Sequence, residues 1–82
     1  MRDGEVDLKK QVEERVREGD IHDYLRQYDQ AIVSYNNALD LDPDCADAWI
    51  NKAITLNKMG KKCEALICVA RAISLYKGQT GV

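Results

Sequence analysis

The chain has 82 residues, of which 45% are apolar and 32% are charged, and its net charge is −2. This length suits one small domain; no apolar run approaches the roughly 20 residues that span a bilayer, and the slightly acidic balance disfavours nucleic acid as a partner. Residues 1–5 lack the features of a secretory signal, and the odd number of cysteines, three, fits a reducing compartment, so we expect a cytoplasmic protein.

The first predicted element is a long, highly charged helix over residues 5 to about 27. Its apolar residues recur mostly at intervals of four, which predicts a thin apolar stripe. Gly19 interrupts the helix at a cost of roughly 1 kcal/mol relative to alanine, and such a glycine is tolerated where another helix packs close. We expect residues 1–11 to form an N-terminal extension ahead of the first structural unit. The apolar stripe consists of Val6, Leu8, Val12 and Val16.

Residues 28–41 are predicted to form the second helix, because their apolar side chains recur at helical spacing on one broad face. Pro43 cannot continue the helical hydrogen bonds and biases Asp42 away from helical angles, so the helix should end there. The predicted face consists of Tyr28, Ala31, Ile32, Tyr35, Ala38 and Leu39.

A third helix is predicted from about residue 45 to residue 59, with Asp44 as its N-cap and Gly60 as a left-handed C-terminal cap. A fourth should run over residues 64–76, and residues 77–82 should be a frayed tail. The predicted buried face of the fourth helix consists of Ala65, Leu66, Val69, Ala72, Ile73 and Tyr76.

The second and fourth helices repeat one pattern 34 residues apart. Ala31 corresponds to Ala65 and Ala38 to Ala72, with branched residues aligned between them. A fixed period of this size predicts stacked helical repeats, and short loops make consecutive helices antiparallel. We therefore predict an all-α fold of antiparallel αα-hairpin repeats, with unit one at residues 12–45, unit two at 46–79 and a flexible tail at 80–82.

This pattern resembles the tetratricopeptide repeat family over about residues 12–79. Unit two carries Trp49-x2-Lys52-Ala53-x2-Leu56, then Ala65-x3-Val69 and Ala72, while unit one carries Gly19, Ala31-x3-Tyr35, Ala38 and Pro43. Unit one departs from the family pattern at Arg15, Glu18 and His22, which makes its first helix the weakest part of the match. The resemblance implies a short right-handed solenoid.

The resemblance also implies a concave groove, lined by the first helix of each unit, that binds a peptide or a partner helix. Mapped onto this chain, the floor would be apolar and the rim polar. The predicted groove residues are Val16, Arg17, Asp20, Tyr24, Asp47, Ile50, Asn51, Ile54, Asn57 and Lys58.

Catalysis has little support in the sequence. His22, the one histidine, falls at a helix-packing position, and no serine or cysteine has an evident partner of the kind that a nucleophile needs. The cysteines are best interpreted as small apolar fillers, and no Cys-x2-Cys pair suggests zinc. We expect no enzyme activity, no cofactor and no metal.

An alternative interpretation is a structural unit that associates with itself. Two units are fewer than the three usually needed for a continuous core, and the last helix would expose Ile67, Cys68 and Ile73 as an apolar end. Residues 1–44 carry a net charge of −6 (six basic, twelve acidic) and residues 45–82 carry +4 (six basic, two acidic), which favours head-to-tail contact. A fragment or engineered piece of a longer repeat array would expose the same end.

Overall fold

The protein folds into four α-helices in the computed structural model, which describes the backbone of residues 3–80 and the side chains of residues 7–78. The helices are α1 (Asp3–Tyr24), α2 (Tyr28–Leu41), α3 (Ala46–Lys58) and α4 (Lys62–Thr80). No strand occurs within residues 3–80. The predicted all-α fold is confirmed.

α1 ends three residues earlier than predicted because the chain turns at Arg26. This residue has φ of 64°, in the left-handed region. The Gln27 N–H donates to the carbonyl of His22 (2.8 Å) and the Arg26 N–H to that of Asp23 (3.0 Å), which is the hydrogen-bond pair of a Schellman motif. The turn is therefore a C-terminal cap formed without glycine, which the sequence pattern did not reveal.

The turn between α3 and α4 uses the same motif with a glycine. Gly60 has φ of 82°, and the Lys61 N–H donates to the carbonyl of Leu56 while the Gly60 N–H donates to that of Asn57. The predicted left-handed cap at Gly60 is confirmed.

The link between α2 and α3 differs from the prediction at one residue. α2 has the predicted bounds, Tyr28–Leu41, but Cys45 rather than Asp44 is the N-cap of α3, and it makes no side-chain capping bond. The Asp44 N–H instead donates to Asp42 Oδ1 at 3.0 Å, which holds the segment around Pro43 in a turn. The predicted role of Asp44 is wrong for this reason.

α4 is longer and less covered than predicted. It begins at Lys62 and continues to Thr80, so the predicted frayed tail is helical as far as residue 80, and residues 81–82 lie outside the described part of the chain. Leu66, Ile73 and Tyr76 are 67%, 49% and 43% exposed, so their predicted burial is wrong. Within residues 3–80, α4 packs against α3 alone, which leaves these side chains without a covering helix.

Small residues allow the helices to pack closely. α1 packs along α2 and α3 along α4, while α3 also packs against α2 and touches α1. Ala31, Ala38, Ala65 and Ala72 are all buried, as expected for points where helix axes approach each other closely. Two apolar clusters result: Val12, Ala38, Leu39 and Ala48 form the first, and Ala53, Leu56, Ala65 and Cys68 form the second.

Gly19 makes room for a tyrosine ring. A Cβ atom on Gly19 would lie 2.4 Å from the ring of Tyr35, whose side chain is 1% exposed. The corresponding residues of the second hairpin, 34 positions later, are Ala53 and Val69. The first hairpin therefore combines glycine with a large ring where the second combines alanine with a smaller side chain.

Candidate protein-binding surfaces

The groove between α1 and α2, which we call the filled groove, receives α3. Asp20 Oδ1 on its α1 wall accepts hydrogen bonds from the Tyr35 hydroxyl (2.6 Å) and from Asn51 Nδ2 (3.2 Å). Burial of the ring, reinforced by the hydrogen bond to Asp20, raises the pKa of Tyr35 above its ordinary value. One carboxylate thus links all three helices.

Asp23 anchors the other end of the same groove. Its two carboxylate oxygens accept hydrogen bonds from Thr55 Oγ1 (2.9 Å) and from Lys58 Nζ (2.7 Å). The hydrogen bond to Asp23 raises the pKa of Lys58, and Thr55 is fully buried. Both aspartates thus accept hydrogen bonds from α3 and hold that helix in the groove.

The groove between α3 and α4, which we call the open groove, has no helix in it within the described residues. Its walls are mainly apolar, and Ile54 and Leu66 are 49% and 67% exposed. The residues that line it are Ile50, Ala53, Ile54, Asn57, Lys62, Ala65, Leu66 and Val69.

The two grooves correspond position by position at the 34-residue interval. Asp20 of the filled groove corresponds to Ile54 of the open groove, and Tyr35 corresponds to Val69. Ile32, half-buried beneath the second cluster, corresponds to the exposed Leu66. The open groove therefore occupies the same place in its hairpin as the filled groove, with Ile54 and Val69 where the filled groove has Asp20 and Tyr35.

A model of the family described as TPR repeat matches residues 19–60, half of the chain, from the second half of α1 to the end of α3. The chain belongs to the tetratricopeptide repeat family. An uncharacterised protein of Methanocaldococcus jannaschii is 36% identical over 52 residues, which cover 63% of this chain and 60% of that protein. The chain thus matches about three fifths of this relative's length. TPR repeats generally serve as non-catalytic protein-interaction modules.

The residues predicted to line one TPR groove lie around three hollows. One hollow lies between α1 and the start of α3, the second lies at the other end of the same two helices, and the third is the open groove. Val16, Arg17, Asp20 and Asp47 line the first, Asp20, Tyr24, Asn51, Ile54 and Lys58 line the second, and Ile50, Ile54 and Asn57 line the open groove.

The residues predicted for self-association separate in the same way. Cys68 is buried within the second cluster, so its predicted place on an exposed end is wrong. Ile73 is 49% exposed, whereas the corresponding Leu39 is 8% exposed under the first cluster, so Ile73 lies where a further helix would cover it. Ile67 is exposed, but the corresponding Val33 is 58% exposed although α3 is present, so Ile67 belongs to the outer surface of α4.

Leu66 and Val69 are groove residues that sequence reasoning assigned to the core. Their helical spacing shows that they share an apolar face but carries no information about what covers that face. The 34-residue repeat could have indicated this. The corresponding residues, Ile32 and Tyr35, pack beneath α3, so Leu66 and Val69 would need a further helix to cover them.

Cys45, Cys68 and His22 are partly or fully buried. Burial raises the pKa of the Cys45 and Cys68 thiols, which keeps them neutral at neutral pH. His22 Nδ1 lies 2.7 Å from Gln27 Oε1 beside the first turn. Within the described residues, no cluster of three or more histidine, cysteine or acidic side chains is arranged to hold a metal ion. Nor does any described helix combine the length and apolar character needed to cross a membrane.

Proposed function

We propose that this TPR chain is a non-catalytic interaction module that docks an amphipathic helix of a partner protein in the open groove. One observation carries the proposal: the chain seats its own helix, α3, in the corresponding filled groove. This favours a helix over an extended peptide as the occupant. The free thiols of Cys45, Cys63 and Cys68 support a reducing compartment such as the cytoplasm as the place of action.

The filled groove indicates the pattern that a docking helix needs. Ala48, Asn51, Thr55 and Lys58 recur on α3 at intervals of three, four and three residues, and the last three donate hydrogen bonds to the aspartates on the α1 wall. The open groove presents the apolar side chains of Ile54, Leu66 and Val69. A helix that docks there should therefore carry apolar side chains at the same intervals along its length. Lys62 on the rim favours an acidic residue at the edge of that helix.

The affinity of such a groove should be moderate. Association costs several kcal/mol of translational and rotational freedom before any contact contributes. The groove offers a few partly exposed apolar side chains to offset that cost, each contributing at most about 1.5–3 kcal/mol. We therefore expect a dissociation constant on the order of micromolar.

Selection from a display library of helical peptides, each about 18 residues or five turns long, tests the proposal. Enriched peptides should carry apolar residues at helical spacing and should lose binding to Leu66→Asp. Val33→Asp is the matched control, because Val33 is similarly exposed but lies outside the groove. Peptides that bind wild type and Leu66→Asp equally well, or a library without enrichment, would contradict the proposal.

A further inference from the structure

We infer that the helix which fits the open groove is α1 of a second copy of this chain, so that copies join head to tail. This inference rests on the proposed function, since it names the partner for the same groove.

The 34-residue interval identifies the residues of α1 that would enter the groove. α3 enters the filled groove with Asn51, Thr55 and Lys58, and the residues 34 positions earlier are Arg17, Ile21 and Tyr24. Ile21 is 53% exposed and Tyr24 is 85% exposed. The chain therefore exposes large, mainly apolar side chains at two of the three positions of α1 that correspond to the inserted face of α3.

In the proposed contact, the incoming helix and the open groove are both less polar than the corresponding residues of α3 and the filled groove. Within one chain, Thr55 donates to Asp23 beside the Tyr35 ring, which is a polar contact. At the corresponding points between two copies, Ile21 of the incoming helix would face Val69 and Asn57 of the open groove. Unlike a random exposed residue, Ile21 thus has an apolar counterpart at the position that the repeat assigns to it.

The net charges of the two surfaces are opposite. α1 carries eight acidic and four basic side chains, a net of −4, whereas residues 46–80 carry two acidic and six basic side chains, a net of +4. Opposite potentials steer an encounter and fix its orientation more than they increase its affinity. They favour a head-to-tail contact over the pairing of two open grooves, which would bring two positive surfaces together.

One residue of α1 weakens the contact. Glu14 corresponds to Ala48, which is fully buried against Ala38 and Leu39. In the joined copies, Glu14 would face Ala72 and Ile73, where its charge would lose solvent without gaining a partner. The inferred association is therefore weak, and removal of this carboxylate should strengthen it.

Sedimentation equilibrium over a range of protein concentrations tests the inference. The average mass of the wild type should rise above the 9.3 kDa of one chain without levelling at a dimer, because a head-to-tail contact leaves a free groove and a free α1 at the two ends. Glu14→Ala should reach the same average mass at a concentration at least about threefold lower. The association should weaken in molar salt, which screens the opposite charges.

Two variants, each impaired on one side of the contact, provide the sharper test. Ile21→Asp and Leu66→Asp should each be monomeric alone, whereas an equimolar mixture should contain a dimer of twice the chain mass and nothing larger. Val33→Asp should associate as the wild type does. Circular dichroism checks that each variant keeps its helices, as expected because all three replaced side chains are exposed.

Three outcomes would overturn the inference. A wild type that stays monomeric near millimolar concentration would do so, as would an Ile21→Asp variant that still associates while Leu66→Asp does not, which would indicate paired grooves. A Glu14→Ala variant that associates no better than the wild type would also contradict the proposed register. If helical peptides still bind through Leu66 in any of these cases, the proposed function stands and only the identity of the partner is wrong.

Discussion

The two hairpins of this TPR chain have the same arrangement of helices but differ in the side chains that line their grooves. The groove of the first hairpin has an occupant from the same chain and holds it with Asp20 and Asp23, which accept four hydrogen bonds from the floor and from α3. The corresponding positions of the second hairpin are Ile54 and Asn57. Polar contacts need fixed partners, which a covalently tethered helix supplies, whereas apolar walls suit a helix that arrives from outside.

The interiors of the hairpins differ as well. Gly19 and Tyr35 in the first hairpin stand where Ala53 and Val69 stand in the second. The large ring of Tyr35 reaches across to Asp20, so the glycine that admits the ring also makes the polar network possible. Substitutions of single residues in one hairpin, compared with substitutions of the corresponding residues in the other, test whether the two hairpins differ in this way.

The largest effect is expected from Gly19→Ala. The new methyl group would lie too close to the buried ring of Tyr35, so the ring or the helix would have to shift. Overpacking of this kind costs about 1–3 kcal/mol, offset in part by the roughly 1 kcal/mol that alanine adds to helix propensity. We expect a net loss of up to about 2 kcal/mol in the free energy of unfolding, measured by urea denaturation followed by circular dichroism.

A double-mutant cycle isolates the cause of that loss. Tyr35→Val in the Gly19→Ala background recreates the Ala53 and Val69 pair of the second hairpin, so the two changes together should cost less than the sum of their separate costs. The matched control is Ala53→Gly, which should lose about 1 kcal/mol from helix propensity and a further amount because it removes a methyl group buried in the second cluster. Strictly additive effects of the first two changes would show that Gly19 and Tyr35 do not depend on each other.

A smaller effect of opposite sign is expected at the turns. Arg26 adopts the left-handed conformation that Gly60 adopts in the corresponding turn, and this conformation strains a residue with a Cβ atom by about 1–2 kcal/mol. Arg26→Gly should raise the free energy of unfolding by about 0.5–1 kcal/mol, since greater freedom of glycine in the unfolded chain removes part of the gain. Differential scanning calorimetry would show a higher melting temperature.

The reverse exchange is the control for the turns. Gly60→Arg should lower the melting temperature, because it introduces the strain that Arg26→Gly removes. If Arg26→Gly leaves the melting temperature unchanged while Gly60→Arg lowers it, the arginine side chain contributes something at its turn beyond the strain, and the two turns are not equivalent.

Periodicity predicted the helices well because it reports directly on amphipathic faces. The bounds of α2 and the burial of Ala31, Ala38, Ala65 and Ala72 follow from it. The end of α1 was missed because Arg26 is not a residue type that marks a left-handed cap.

The candidate site was harder to predict because a helical pattern shows which side chains share a face, but not whether another helix covers that face. Leu66 lies on the same face as Ala65 and Val69, so the pattern assigned it to the core, and only the packing of four helices shows that its counterpart Ile32 is covered and Leu66 is not. The TPR resemblance implied a single groove, but its predicted residues line separate polar and apolar hollows. One reason is that Asp20 and Asp23 accept hydrogen bonds from side chains of α3.

The smallest effect is expected from Tyr35 of the first hairpin in alkaline solution, in addition to the effects of the Cys45 and Cys68 thiols and of Tyr76, whose pKa values are also raised. Burial and the hydrogen bond to Asp20 raise the pKa of Tyr35, whereas the same phenol in the unfolded chain ionises near pH 10. Its contribution to stability is therefore complete below pH 10 and is lost as the pH rises above that value. Between pH 8 and 10.5 the loss attributable to Tyr35 should be about 0.8 kcal/mol.

Tyr35→Phe, measured by urea denaturation at both pH values, should be less stable than wild type at pH 8 and should show a correspondingly smaller decrease. An equal decrease in both proteins would mean that the alkaline response arises elsewhere, and the polar network of the first hairpin would then not distinguish it from Val69 and its apolar neighbours in the second.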